Sequence, residues 1–197
     1  MKKTLLLLAI LISAVLTVSA QSDDSAPKLS VGFSVGGTVG PHAADLPVGG
    51  GIHFKLEYPL VENQVSLMVT AGYTFFVSST GYQYESDTYD GSYSSGELVN
   101  FVPIMVGARF YVANRIFVQG DVGASFNINS TGYTNSKTAL IVSPSAGYAL
   151  PFGSSRFGLD LSLAYEDRFD SGSTQAGGPT IGNWGMAEFR LAFRFGL

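Results

Sequence analysis

The sequence predicts an all-β protein, an eight-stranded antiparallel up-and-down transmembrane β-barrel, on three observations. The first is the segment Trp184 to Leu197, in which Phe189, Leu191, Phe193, Phe195 and Leu197 alternate with Glu188, Arg190, Ala192, Arg194 and Gly196. Side chains of a strand alternate between two faces, so one face is apolar and the other carries a glutamate and two arginines. A strand with lipid on one side and a polar interior on the other reads this way. The second observation is that this alternation recurs in eight segments. The third is that the gaps between segments are short and long by turns.

The segments run in order along the chain. Strand one, 28–38, sets Leu29, Val31, Phe33 and Val35 against Ser30, Gly32, Ser34 and Gly36. Strand two, 48–58, sets Ile52, Phe54, Leu56 and Tyr58 against His53, Lys55 and Glu57. Strand three, 64–77, sets Val65, Leu67, Val69 and Tyr73 against Ser66, Met68, Thr70 and Thr74. Strand four, 97–112, sets Val102, Ile104, Val106, Ala108 and Phe110 against Met105, Gly107, Arg109 and Tyr111. Strand five, 115–127, turns Ile116, Val118 and Val122 outward and Gln119, Asp121 and Ser125 inward. Strand six, 138–149, is the least regular, with Leu140, Val142, Ala146 and Tyr148 against Ser143, Ser145 and Gly147. Strand seven, 156–168, sets Phe157, Leu159, Leu161, Leu163 and Tyr165 against Asp160, Ser162, Ala164 and Glu166. Strand eight, 184–197, is the segment described first. Pro103 and Pro144 lie inside strands four and six and donate no ladder bond, so each marks a bulge or a local break in pairing.

The gaps at 59–63, 113–114 and 150–155 are short, and those at 39–47, 78–96, 129–137 and 171–183 are longer. Barrels of the bacterial outer membrane have short periplasmic turns and long extracellular loops. An even strand count then puts both ends in the periplasm and the long loops outside. Aromatic residues near strand ends suit interfacial girdles: Tyr73, Phe75, Phe76, Tyr165, Phe169 and Trp184 at the outer boundary, and Tyr58, Phe110, Tyr111, Phe117, Phe157 and Phe195 at the inner one.

The start of the chain fits export. Lys2 and Lys3 precede an apolar run, Leu5 to Leu16, and Val18-Ser19-Ala20 offers small residues before Gln21. This is the pattern of a cleaved signal peptide, with an apolar core too short for a comfortable membrane helix. The expected organisation is a signal peptide at 1–20, a short leader at 21–27 and one barrel domain at 28–197. Cleavage removes two of the 11 basic residues and none of the 15 acidic ones, leaving a net charge near −6. Such a surface lacks the basic patch that nucleic acid requires. With no cysteine, lipoprotein processing, disulfides, thiolate metal sites and a cysteine nucleophile are all excluded.

Pro103-Ile104-Met105-Val106-Gly107-Ala108-Arg109-Phe110-Tyr111 resembles a strand pattern of the small eight-stranded outer-membrane barrels, proline-hydrophobic-x-x-glycine-x-arginine-aromatic-aromatic. The Ala20–Gln21 cleavage point and the aromatic last strand add to this resemblance, which covers the whole mature chain. The sequence is similar to the OmpA-transmembrane and OmpX type and to the porin-family barrels of Bacteroidetes. The family's last strand ends in Phe, whereas this chain ends Phe195-Gly196-Leu197 and keeps only the apolar face. The resemblance implies a monomer in the outer membrane of a didermal bacterium, in contact with lipid that includes lipopolysaccharide. It also implies insertion by the barrel-assembly machinery through the C-terminal strand. No cell-wall-binding domain is expected after strand eight.

Lys55, Glu57, Arg109, Asp121, Asp160, Glu166, Glu188, Arg190 and Arg194 fall on inward faces. An eight-stranded barrel is just wide enough for side chains to fill it, so these charges form either a paired structural plug or the gate of a narrow ion path. The chain has two histidines, His42 and His53. Lipid-A acylating and deacylating barrels resemble this one in size, and the deacylase pattern places His-x-Ser on one strand, but Phe54 and Lys55 follow His53. A rim site built from His42 with Ser78 or Ser79 is the remaining enzymatic alternative. The second outer loop interleaves Tyr82, Tyr84, Tyr89 and Tyr93 with Asp87 and Asp90. Tyrosine among Ser and Gly gives adaptable contacts, so this loop is a candidate recognition surface. Asp87-x-x-Asp90-Gly91 lacks the full spacing of a calcium loop. No catalytic residue, metal ligand or cofactor site is assigned, and the extracellular ligand stays open.

Overall fold

The computed structural model describes residues 26–40, 43–44, 46–61, 64–78, 98–129, 137–152, 156–169 and 184–197. The expected signal peptide at 1–20, His42, Ser79 and the tyrosine-rich segment Tyr82 to Tyr93 lie outside the described residues. Eight strands follow one another: β1 (Lys28–Val39), β2 (Val48–Val61), β3 (Val65–Val77), β4 (Leu98–Tyr111), β5 (Ile116–Asn127), β6 (Thr138–Pro151), β7 (Phe157–Phe169) and β8 (Trp184–Gly196). Each pairs antiparallel with the next, and β8 returns to β1 to close the barrel. Closure leaves no unpaired sheet edge, which a membrane-spanning sheet requires.

The closing register pairs Lys28 with Gly196 and Val39 with Gly185. Both ends of the barrel chain therefore lie at one rim, where the Leu197 amide also donates to the Pro27 carbonyl at 2.9 Å. The connections at that rim are 62–64, 112–115 and 152–156, and the opposite rim carries 40–47, 78–97, 128–137 and 170–183. Short and long connections thus segregate to opposite ends.

Pro103 and Pro144 break the ladder without displacing it. Pairing of β3 with β4 lapses between Ala71↔Ile104 and Thr74↔Phe101 and resumes in the same register. Pairing of β6 with β7 lapses in the same way between Val142↔Asp167 and Ser145↔Ala164. The irregularity of register in β2 falls instead at Pro59 to Val61, where the strand runs beyond its expected end at Tyr58.

Inward positions are even-numbered on β1, β3, β7 and β8 and odd-numbered on β2, β4, β5 and β6. The outward face is apolar and uncovered: Val106 is 54% exposed and Leu163 69%. On the inward face Arg109 and Glu57 are 1% exposed. A soluble sandwich has the reverse arrangement, because exposed apolar area in water is unfavourable. The inversion is stable where the outer solvent is hydrocarbon.

Three aromatics depart from their expected girdle positions. Phe76 and Phe117 are buried inside, and Tyr111 points inward and bonds to Glu57. Their strand parity decides their side of the wall, and closeness to a strand end does not override it. Phe76 belongs to an apolar cluster with Leu46, Val99, Phe101 and Met186 that fills the barrel at its long-loop end. Leu46 reaches this cluster from the connection between β1 and β2 and is 3% exposed.

Candidate functional site

Below that apolar cluster the interior is polar, and its charges gather in two tiers. The turn-side tier is built on Arg109 of β4. Its Nη1 donates to Asp160 Oδ2 of β7 at 2.7 Å and to Glu57 Oε2 of β2 at 3.0 Å. Its Nε donates to Gln119 Oε1 at 2.9 Å, and Gln119 in turn donates to Asp121 Oδ2 at 2.7 Å. The other oxygen of Glu57 accepts from Tyr111 Oη and Ser66 Oγ, both at 2.9 Å. The ring of Phe117 lies 4.0 Å from the guanidinium carbon, giving its face a cation–π contact. Gly107, two residues before Arg109, leaves room for the Asp121 carboxylate, which a Cβ there would strike. Arg194 adds a looser pair with Asp160 at 3.4 Å.

The loop-side tier is built on Arg190 of β8. Its Nε donates to Glu188 Oε1 at 2.6 Å, and its Nη2, also paired with that oxygen, donates to Ser143 Oγ at 2.9 Å and Glu166 Oε2 at 3.4 Å. Arg168 pairs with Glu166 at 3.3 Å and lies 3.5 Å over the ring of Phe101, so it joins this tier to the apolar cluster above. Lys55 is buried on β2 between His53 and Glu57, placing its amine between the tiers. The inward candidates read from sequence thus fall into two groups. Glu57, Arg109, Asp121, Asp160 and Arg194 form one, and Glu166, Glu188 and Arg190 the other.

Arg168 and the contact between Ser34 and His53 were not read from sequence. Arg168 shares the even parity of Asp160 and Glu166, so alternation alone would have found it. His53 and Ser34 could not be joined from sequence, because their contact depends on the β1–β2 register. Ser34 Oγ lies 2.8 Å from His53 Nε2, and Glu188 Oε2 is 4.0 Å from the same nitrogen. A hydrolytic relay needs the hydroxyl and the acid on opposite ring nitrogens. Here both crowd one nitrogen, and Nδ1 has no hydrogen-bond partner. The trio also lies inside the wall, with His53 2% exposed, away from any lipid on the outer face.

Leaving an ion unpaired in a closed interior is costly, whereas good geometry on both partners offsets desolvation. In the turn-side tier every charged group has a partner, although Asp121 Oδ1 and Asp160 Oδ1 are buried without a hydrogen bond. No group of three or more metal-ligating side chains gathers anywhere among the described residues.

Closure, inversion and a charged, filled interior define the class: a small eight-stranded outer-membrane β-barrel. No protein-family model matches the chain, and no curated protein matches it. Among solved structures it is similar to Ail, the attachment invasion locus protein of Yersinia pestis, with 14% identity over 86% of this chain and 97% of that one, at a TM-score of 0.46. It is also similar to Neisserial surface protein A, with 12% identity, 87% and 97% coverage and a TM-score of 0.48. A third is OprG of Pseudomonas aeruginosa, with 7% identity, 89% and 99% coverage and a TM-score of 0.45. The class rests on this chain's own closure and inversion.

Proposed function

We propose that the protein is a non-enzymatic integral outer-membrane barrel whose interior is a structural plug. Its long loops then face the exterior, with both termini periplasmic, and serve surface interaction or envelope integrity. The observation that carries this reading is the double closure of the lumen. The Arg109–Glu57–Asp160 pairs cross it from β4 to β2 and β7, and the Leu46, Phe76, Val99, Phe101 and Met186 cluster fills its other end. Ions crossing such an interior would have to separate well-formed buried pairs, which costs several kcal/mol.

The loop-side tier favours a second reading, a gated path for ions or small solutes. Both tiers hold a carboxylate oxygen without a hydrogen bond, but Arg190 Nη1 is also buried without one whereas no nitrogen of Arg109 is, so the arginine of this tier is the less tightly held. Planar-bilayer recording decides between the two. The plug predicts no reproducible conductance steps from the wild-type protein; stable unitary steps would establish the channel instead. Unchanged lipid A on overexpression is the corresponding expectation against a rim enzyme.

A further inference from the structure

At the rim that holds the chain termini, the interior opens into a cavity of about 160 Å³ whose polar lining is Lys28, Glu57, Ser66, Tyr111, Asn114, Arg115 and Arg194. One liquid water takes about 30 Å³, so this volume suits a small tetrahedral oxyanion with a few waters. It is too small for an extended chain. Its charge is positive, although the protein as a whole is acidic at −4. The one carboxylate in the lining, Glu57, is already engaged by Arg109 at 3.0 Å and by Tyr111 and Ser66 at 2.9 Å. Arg194 is only partly discharged, through its 3.4 Å pair with Asp160. Lys28 acts on Glu57 through space without a salt bridge, and Arg115, exposed at the rim, has no ion pair among the described residues.

The placement of these cations follows from topology. Lys28 of β1 and Arg194 of β8 stand on the two strands that close the barrel. Arg115 belongs to the 112–115 turn between β4 and β5, on the far side of the ring. Three cations therefore surround one cavity from opposite walls, and Asn114 adds a neutral amide. We propose that this cavity is an oxyanion site that takes a phosphate group through Lys28, Arg115 and Arg194. Arginine forks match phosphate oxygens in pairs, and a concave low-dielectric wall focuses the positive potential of the three. The phosphate has two available sources: free in the aqueous phase, or as a phospholipid headgroup reaching over the 112–115 turn. The proposal is independent of what the long loops bind.

The test is titration of the detergent-refolded protein with inorganic phosphate by calorimetry, repeated in nanodiscs of phosphatidylcholine with and without phosphatidylglycerol. Saturable one-site binding is expected in detergent. A Lys28→Gln, Arg115→Gln double variant should weaken it at least tenfold. Arg156→Gln, on the same rim but outside the cavity, should leave it unchanged. The heat-dependent gel shift checks that each variant is folded, and both positions of the double variant lie at the barrel mouth. Affinity that falls tenfold or more from a phosphate-free detergent to discs of either composition assigns the headgroup as the occupant; affinity that does not assigns the aqueous anion. Absence of saturable binding in both detergent and discs overturns the proposal, and so does equal binding by the folded double variant.

Discussion

The two charged tiers use the same chemistry and differ in how completely the central arginine is satisfied. Around Arg109, the guanidinium has acceptors on Asp160, Glu57 and Gln119, and an aromatic ring stacks on it. Around Arg190, bonds to Glu188, Ser143 and Glu166 leave Nη1 without a partner. The acceptors of Arg109 come from β2, β5 and β7, so they bind distant walls of the barrel together. The shortest bond of Arg190 is to Glu188, two residues away on its own strand. One tier therefore resists relative movement of the walls, and the other leaves them freer to shift.

That difference is most exposed by removing each arginine. Arg109→Met leaves Glu57 and Asp160 buried without their principal partner and should cost about 3–5 kcal/mol, the usual loss when one member of a buried pair is removed. Equilibrium urea unfolding in lipid vesicles measures it. A loss under about 1 kcal/mol would mean that the tier contributes little beyond packing. Moving a charge to the opposite face of the same strand is the next test. Val106→Arg places a guanidinium three residues from Arg109 but on the lipid side, at 54% exposure. It should cost about 2–4 kcal/mol near the bilayer midplane. Normal refolding of this variant in plain buffer as a compact soluble monomer would falsify the membrane reading altogether.

Arg190→Met should cost less, about 1.5–3 kcal/mol, the scale of hydrogen bonds to charged groups. Glu166 keeps Arg168 at 3.3 Å, and Glu188 already carries one oxygen without a hydrogen bond. If unfolding shows Arg190→Met to be as damaging as Arg109→Met, the two tiers are equivalent and the contrast drawn between them fails.

The architecture was legible because a membrane barrel writes itself locally. Period-two alternation needs no partner strand to be seen, and the segregation of short and long connections needs only strand ends. Parity also carried information that position along a strand obscured. Phe117 lies between the outward Ile116 and Val118, so its inward direction was readable, yet its nearness to the strand end suggested a girdle. Arg168 was readable in the same way from Glu166. What could not be read is which inward charges meet. The Arg109–Asp160 bond joins residues 51 apart, and the shear of the closed barrel decides that pairing. The cationic mouth was equally hidden, since Lys28, Arg115 and Arg194 come together only when β8 returns to β1.

The smallest expected effect lies at the Ser34–His53 contact. This single hydrogen bond, 2.8 Å long and part-buried, is worth about 0.5–1.5 kcal/mol. Ser34→Ala removes it, and the added cost depends on what His53 does next. His53 Nε2 is 4.0 Å from Glu188 Oε2, and Glu188 is the residue that Arg190 grips most closely. In an adaptable tier the imidazole turns toward Glu188 and recovers part of the loss, so Ser34→Ala should fall at the low end of that range. In a rigid tier the full value appears. A double-mutant cycle with Arg190→Met distinguishes these cases: an interaction energy above about 0.5 kcal/mol shows the contacts acting as one network, and strict additivity shows His53 to be a bystander beside the arginine.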